Sequence, residues 1–178
     1  MQDEESLVQR AKQRDEEAFA QLYEGYFDKI YRYVALRIGD RMEAEDIAQQ
    51  VFLKAIKAIS SFRWKGVPFS AWLFRIAHNQ VVDYLRKTKK RVSVHLEEET
   101  LAASGDGPQE AFGRKLDIER LNQATKKLTP AQREVISLRF AGEMSVAQVA
   151  EVMGRSQGAV KALQHSAIVA LRKVLSAA

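Results

Sequence analysis

Apolar side chains recur along most of the chain at three- and four-residue spacing, which is the period of an α-helix that buries one face. Three such stripes precede residue 91. The first comprises Phe19, Leu22, Tyr23, Tyr26, Phe27, Ile30 and Val34; the second Ile47, Val51, Phe52, Ala55, Ile56 and Ile59; the third Phe69, Trp72, Leu73, Ile76, Ala77 and Tyr84. Strand-like alternation is confined to the fragment 92–95. The pattern predicts an all-α fold.

Residues 92–112 interrupt the helical pattern. They contain the acidic run 97–99 and the Gly/Pro-containing run 102–108, with no sustained apolar period. Such a composition is typical of a linker that is flexible in isolation. The sequence therefore predicts two small helical domains, 1–91 and 113–178, joined by a flexible acidic linker.

Capping residues mark where several helices begin. Asp40 has Glu43 three residues later, which is the spacing of a capping box. Thr129 precedes Pro130 and has Gln132 three residues later, which predicts a helix with proline at its first position.

The second domain is predicted to start with a helix near Arg114. The side chains expected to face its core are Leu116, Leu121, Ala124 and Leu128. The next helix, from Pro130, is predicted to bury Val135, Ile136 and Leu138 and to end at Gly142.

Composition restricts the classes of function. The 178 residues include no cysteine, which excludes disulfide scaffolds and cysteine-based metal sites. The histidines, His78, His95 and His165, are far apart and lack a second ligand at helical spacing, so we expect no metal. No phosphate loop or nucleophile motif occurs, and we expect neither an enzyme nor a cofactor. With no signal peptide or membrane span, the cytoplasm is the expected compartment.

The net charge of +5 is unevenly distributed. Residues 1–90 carry +3, residues 91–113 carry −4 and residues 114–178 carry +6. Two basic blocks thus flank an acidic stretch. Basic blocks favour polyanions such as nucleic acid through counterion release, although a solvated, solubilising surface explains the same charges equally well.

Residues 145–165 have the restricted positions of a DNA-binding helix-turn-helix. A small residue, Ala150, stands where the second helix crosses the first, and Gly154 stands at the turn, where a left-handed backbone is favoured. Val160 is the branched apolar anchor of the second helix. Further inward positions and N-caps are Val149, Met153, Leu163, Ser145 and Ser156. An ordinary helical hairpin with a glycine turn is the alternative.

If this unit binds DNA, its second helix lies in the major groove. Gln164 is then placed to pair with a base edge, and Lys161 and Arg155 to hold phosphates. The full set of expected contacts is Arg155, Ser156, Gln157, Ala159, Lys161, Gln164 and His165.

Aromatic residues alternate with cations before and within the third helical stripe, a combination that holds unstacked bases and the phosphates of a single strand. The residues concerned are Phe62, Arg63, Trp64, Lys65, Phe69, Trp72 and Arg75. Phe69 and Trp72 lie on the apolar stripe, which favours a core role for both. Trp64 lies in a Gly/Pro loop off any stripe, and we predict an exposed role for it.

Segments 46–52, 69–79 with 83–86, and 128–136 together resemble the sigma-70 family of bacterial RNA polymerase sigma factors. DIAQQVF at 46–52 resembles the polymerase-binding motif of sigma region two, and FSAWLFRIAHN at 69–79, continued at 83–86, resembles its promoter-reading helix. LTPAQREVI at 128–136, with the helix-turn-helix after it, resembles sigma region four. The order, spacing and short linker resemble the extracytoplasmic-function (ECF) group.

The resemblance implies partners and roles. Core RNA polymerase would be bound, through the clamp helices of its largest subunit, by Asp46, Ile47, Gln49, Gln50 and Leu53. The minus-ten element would be melted and read by Arg63, Trp64, Lys65, Trp72, Arg75, Asn79, Arg86 and Lys87, and the minus-thirty-five element by the helix from Ser156. The polymerase flap and an anti-sigma protein are further implied partners. The acidic linker would thread the RNA exit path, or is merely solvated.

The recognition helix departs from the family pattern. Many relatives have several arginines after the anchoring valine, whereas residues 161–167 here contain Lys161 alone among lysines and arginines. Fewer cations imply fewer phosphate contacts and weaker duplex binding. The alternative to a sigma factor is a two-domain helix-turn-helix regulator that acts without polymerase, or a helical adaptor with no nucleic-acid role.

Overall fold

The computed structural model describes residues 3–64, 67–94 and 112–177, with side chains described for 3–64, 67–90 and 119–176. These residues form eight α-helices, one 3₁₀ turn and one π-helical turn. The α-helices are α1 Glu4–Lys12, α2 Glu16–Ile38, α3 Arg41–Ala58, α4 Phe69–Val94, α5 Phe112–Thr125, α6 Pro130–Ile136, α7 Val146–Met153 and α8 Gln157–Ala177. The 3₁₀ turn is Ile59–Ser61 and the π-helical turn is Ser137–Ala141. The all-α prediction is confirmed for the described residues.

The predicted helix starts are confirmed by their capping bonds. Asp40 accepts a hydrogen bond from the main-chain N–H of Glu43 at 3.1 Å. Thr129 and Gln132 form a reciprocal capping box, with Pro130 in the first turn. Each bond satisfies an N–H that an α-helix leaves unpaired at its start, which stabilises the helix by roughly 1 kcal/mol.

Helices α1 to α4 form domain one. Leu7, Val8 and Ala11 of α1 are buried against α2, and α2 packs on α3, which packs on α4. The fragment 92–94, which alternates as a strand would, instead continues α4. Its two valines fit a helix end because a lone three-residue strand has no partner to pair with.

Two apolar positions assigned to the core are solvent-exposed. Ile56 is 47% exposed because α3 buries only the face that meets α2 and α4, and Ile56 lies beside the exposed Leu53. Leu121 is 39% exposed, whereas Ala124 and Leu128 are buried as predicted. The Leu116 side chain lies outside the described part of the chain.

The two domains share one hydrophobic core. Buried side chains of α2 and α4, among them Tyr33 and Phe74, are contiguous with Val135, Leu138 and Val149 of domain two. A smaller cluster within domain two comprises Leu128, Ile136 and Ala167. The sequence predicted two separately tethered bundles and contained no indication of this joint core. The predicted linker spans residues 92–112, of which 95–111 lie outside the described residues.

Candidate nucleic-acid and polymerase interface

Helices α7 and α8 form the predicted helix-turn-helix. Gly154 adopts the left-handed conformation at the turn, with φ +65°. Val160 and Val149 are fully buried, and Ser145 caps α7 in a capping box with Gln148. The remaining features also agree: the Ser156 hydroxyl accepts the N–H of Ala159, and Ala150, Met153 and Leu163 are half-buried. Val152, which is 6% exposed, is an inward position that the sequence analysis missed.

The outer face of α8 and the two residues before the helix present most of the predicted duplex contacts to solvent. Five of these residues are exposed: Arg155, Ser156, Gln157, Lys161 and His165. The other two, Ala159 and Gln164, are half-buried. Gln164 is held by Arg139, whose Nε donates to the Gln164 Oε1 at 2.8 Å. Arg139 is itself anchored through Nη1 to the carbonyl of Met144 at 2.6 Å. The amide that is predicted to read a base is therefore positioned by a second side chain that the sequence analysis did not identify.

The α3 surface presents four of the five residues predicted to bind polymerase. Asp46, Gln49 and Gln50 are exposed, and Leu53 is 59% exposed. The fifth, Ile47, is only 8% exposed, so its prediction as a contact residue is wrong. Its side chain lies on the buried stripe of α3, where apolar packing inside domain one takes precedence over an outside partner.

Four aromatic side chains form a cluster at the start of α4. The ring of Phe62 contacts Trp64, Phe69 and Trp72 edge-on or tilted, with centroid distances of 5.0, 5.8 and 5.3 Å. Phe69 is buried, as the stripe predicted, and Trp72 is half-buried. The prediction that Trp64 is exposed is wrong, because its ring is half-buried and packs edge-on against Phe62.

The loop that carries Trp64 is fixed by cations from two directions. Lys12 of α1 donates from Nζ to the carbonyl of Phe62 at 2.7 Å. Arg63 donates from Nη1 to the carbonyls of Ser60 and Phe62 at 3.0 and 3.1 Å. Sequence reasoning missed Lys12, since no motif links a residue of α1 to a loop 50 positions later. The predicted contact Lys65 lies outside the described residues.

The polar face of α4 holds the other predicted single-strand contacts. Asn79 is exposed and lines an open polar groove with Lys54 and Asp83. Arg86 and Lys87 pair with Asp83 at 2.7 and 3.2 Å, and their hydrogen bonds lower the pKa of that carboxyl. Both cations remain about two-thirds exposed, so they stay accessible to a phosphate.

Arg75, also predicted to contact the minus-ten strand, is directed elsewhere in this structure. Its Nη2 donates a hydrogen bond to the main-chain carbonyl of Glu151 on α7. The side chain is exposed, but one donor is occupied by domain two.

A buried carboxylate joins the two domains. Glu134 of α6 is 3% exposed and accepts hydrogen bonds from the Tyr33 hydroxyl at 2.5 Å and the Arg37 Nε at 2.7 Å. His78 Nδ1 lies 2.9 Å from its Oε1. Burial alone would raise the pKa of this carboxyl, but the hydrogen bond from His78 and the charge of Arg37 outweigh it, so the pKa is lowered. The residues of α2 from Tyr33 to Arg37 are all buried, so neighbouring elements cover this part of the helix on all sides.

A helical bundle with an aromatic and cationic face, followed by a helix-turn-helix, defines a class of DNA-binding transcription protein. Residues 22–91 match the family model described as Sigma-70 region 2, and residues 124–173 match the model described as Sigma-70, region 4. The chain belongs to the sigma-70 family of RNA polymerase sigma factors, in its ECF group. An ECF sigma factor is a non-enzymatic factor that directs promoter-specific transcription initiation with RNA polymerase.

Comparison with individual proteins gives the same assignment. The chain is 37% identical over 170 residues to the ECF sigma factor BldN of Streptomyces coelicolor, covering 95% of this chain and 64% of BldN. It is 34% identical to the ECF sigma factor SigW of Bacillus subtilis, covering 94% of each. The sigma factor RpoE of Bartonella quintana, solved with the anti-sigma factor NepR, superposes with a TM-score of 0.73 at 25% identity, over 89% of this chain and 96% of that one. The chain thus spans under two thirds of BldN but nearly all of SigW. None of the described helices is both long and apolar enough to cross a bilayer.

Proposed function

We propose that α3 is the surface that grips core RNA polymerase at the clamp helices of its largest subunit. Asp46, Gln49, Gln50 and Leu53 lie together on its solvent face, and Ile56 extends the patch by a further exposed apolar side chain. Large apolar groups surrounded by polar ones are the composition of a protein interface. Ile47 supports this surface from inside the bundle.

The loop after the 3₁₀ turn and the polar face of α4 together melt and read the minus-ten element. The Trp64 indole and the exposed Asn79 border this region, and Arg63, Arg86 and Lys87 supply exposed cations. Aromatic surfaces hold unstacked bases while cations hold the strand, so this face suits a single strand.

Helix α8 reads the minus-thirty-five element as duplex. Lys161 is exposed in its N-terminal half and Arg155 is exposed just before the helix, where a recognition helix meets the phosphates that flank the major groove. Gln164 reaches the base edges together with Arg139, which holds its amide and so fixes which atoms face outward. The few cations on this helix favour modest affinity in the absence of polymerase.

Three further partners complete the proposal. Domain two contacts the polymerase flap, and the acidic residues of 92–112 enter the RNA exit path, where their charge mimics nucleic acid. An anti-sigma protein that covers both domains is supported by the complex of the similar RpoE with NepR. The factor works in the cytoplasm, where the polymerase is.

The exposed α3 patch is the single observation that distinguishes a sigma factor from a DNA-binding regulator. The test is run-off transcription with purified core polymerase, together with core binding by the variant Asp46→Ala plus Gln49→Ala. We expect core binding to weaken at least tenfold, because desolvated polar contacts at an interface centre are costly to remove. Glu24→Ala removes an exposed carboxylate from α2 and serves as the control. Unchanged core binding by the double variant, or a footprint on promoter duplex without core, would contradict the proposal.

A further inference from the structure

Every described partner of the Glu134 carboxylate belongs to the other domain. Tyr33 and Arg37 come from α2 and His78 comes from α4, 101, 97 and 56 residues away. The Glu134 carboxylate therefore makes no described polar contact within domain two. Its burial depends on the two domains being in contact, since a charged group is stable at 3% exposure only when it is paired.

Four more polar contacts among the described residues cross the same boundary, and one of them is the ion pair between Arg32 of α2 and Glu143 at 3.5 Å. Arg133, next to Glu134, donates from Nε and Nη2 to the carbonyl of Leu36 at 3.1 and 2.6 Å. This carbonyl lies in the last turn of α2, where main-chain acceptors lack helical partners. Gln148 donates to the Ser70 hydroxyl at 2.9 Å, and Arg75 donates to the carbonyl of Glu151. The contacts run from α6 to α7, so they hold domain two in one orientation.

The boundary between the domains covers part of α4, the helix to which we assign minus-ten reading, and an inhibitory role for the boundary rests on that proposed function. Ser70 is 7% exposed and Phe74 is fully buried, and both lie on α4. Phe74 approaches Gly142 so closely that a Cβ there would lie 3.0 Å from its ring. Arg75 has one donor occupied by α7. Domain two thus lies over the face of α4 between the aromatic cluster and Asn79.

The dimensions of the closed chain also conflict with promoter reading. A compact chain of this length has a radius of gyration of about 16 Å and is roughly 40 Å across. The two promoter elements are about 25 base pairs apart by their names, which at ~3.4 Å per base pair is roughly 85 Å of duplex. The two domains cannot reach both elements while they share a core. They must separate before the promoter is read.

We propose that the free chain is held closed by an interdomain latch centred on Glu134 and its partners Tyr33, Arg37 and His78, and that core polymerase binds the open form. The closed form buries Tyr33, Phe74 and the Glu134 carboxylate, whereas the open form frees α4 and separates the DNA-binding surfaces. Polymerase shifts the equilibrium because it binds only separated domains, and its apparent affinity is reduced by the fraction of chains that are closed.

The distance between the domains tests the latch without any DNA or polymerase. The chain has no cysteine, so Lys57→Cys on α3 and Lys173→Cys on α8 provide two exposed spin-label sites. Pulsed electron–electron double resonance should give one narrow distribution of the distance between the two labels when the rest of the chain is native. Glu134→Gln, which keeps the shape but removes the charge opposite Arg37, should raise the open, long-distance population about tenfold or more. Glu119→Gln, at an exposed carboxylate of the same domain with no described polar contact to domain one, should leave the distribution unchanged.

Two further measurements keep the result unambiguous. Circular dichroism should show undiminished helix content in Glu134→Gln, and Tyr33→Phe, which acts from domain one, should raise the open population in the same direction. Glu134→Gln should also bind core polymerase several-fold more tightly. An unchanged distance distribution in Glu134→Gln overturns the latch, and an opened chain with unaltered core affinity overturns its inhibitory role. If Glu134→Gln opens the chain but neither the native chain nor the variant binds core polymerase, the proposed function is contradicted and the latch is retained.

Discussion

The Nζ atom of Lys12 donates a 2.7 Å hydrogen bond to the main-chain carbonyl of Phe62, 50 residues further along the chain. Lys12 is the last residue of α1, and α1 precedes residue 22, where the match to sigma region two begins. Helix α1 therefore contributes to domain one through this hydrogen bond as well as through its packing on α2. It holds the backbone of the loop that we assign to the minus-ten strand.

Lys12→Met tests this positioning role. The variant keeps the aliphatic stem of the side chain but loses a charged donor to a carbonyl, which at a partly exposed site stabilises by about 1 kcal/mol. We expect a fall in Tm of about 2–4 °C and weaker binding of a single-stranded minus-ten oligonucleotide by the holoenzyme. Lys57→Met, at an exposed position of α3, is the matched control and should change neither quantity. A variant with the same Tm and oligonucleotide affinity as the native chain would remove Lys12 from this role.

Two glycines of the helix-turn-helix should respond oppositely to alanine. Gly154 has φ +65° with no atom within 4 Å of an added Cβ, so Gly154→Ala suffers backbone strain alone and should cost about 1–2 kcal/mol. Gly158 lies within α8, where alanine is a better helix former by about 1 kcal/mol. Thermal unfolding followed by circular dichroism measures both. Equal effects of the two substitutions would mean that the turn conformation is misassigned.

Acid should open the interdomain contact. The lowered pKa of Glu134 means that its contribution is complete above the ordinary carboxyl value of 4.5 and is lost as pH falls through the lowered value in the closed form. The pKa values of Asp15 and Asp83 are also lowered, so general acid sensitivity is expected in any variant. The comparison of the native chain with Glu134→Gln isolates the contribution of the Glu134 carboxyl to the pH dependence of stability. The difference in unfolding free energy between the two should shrink as the solution is acidified from about neutral pH to below the ordinary carboxyl pKa, and a constant difference would speak against an ionised Glu134.

Lys161→Ala should weaken binding to minus-thirty-five duplex almost equally for all sequences. Removal of one phosphate contact should lower the slope of log affinity against log salt concentration by about 0.9. Gln164→Ala should instead change which bases are preferred, with the slope retained. Fluorescence anisotropy of holoenzyme with labelled promoter duplex, at several salt concentrations, separates the two effects. A salt slope unaltered by Lys161→Ala would show that α8 is wrongly placed on the DNA.

Local chemistry made part of this structure predictable. The caps at Asp40, Thr129 and Ser145 and the turn at Gly154 depend on residues within four positions of one another, and all are present. A bond between neighbours in sequence leaves its signal in the spacing of residue types.

The contacts between the domains left no comparable signal. Glu134 and Arg37 are 97 residues apart, and a glutamate within a helix is expected to face solvent until its partners are known. The same reason applies to Trp64, whose burial depends on the position of Phe62, and to Leu121, whose exposure depends on where α8 packs. Periodicity identifies an apolar face, but which neighbour covers it is a property of the tertiary structure.

The common core of α2, α4 and α6 bears on the construction of hybrid factors. Replacing residues 112–177 with the equivalent segment of a relative would set a foreign surface against Tyr33, Arg37 and His78, whose hydrogen-bonding groups are buried or half-buried in this arrangement. A chimera that retains a glutamate at position 134 should inherit the resting behaviour of the parent. A chimera that lacks this glutamate should be open and able to bind polymerase wherever it is expressed. A promoter-reading domain therefore has to be exchanged together with the residues of the latch that hold it closed.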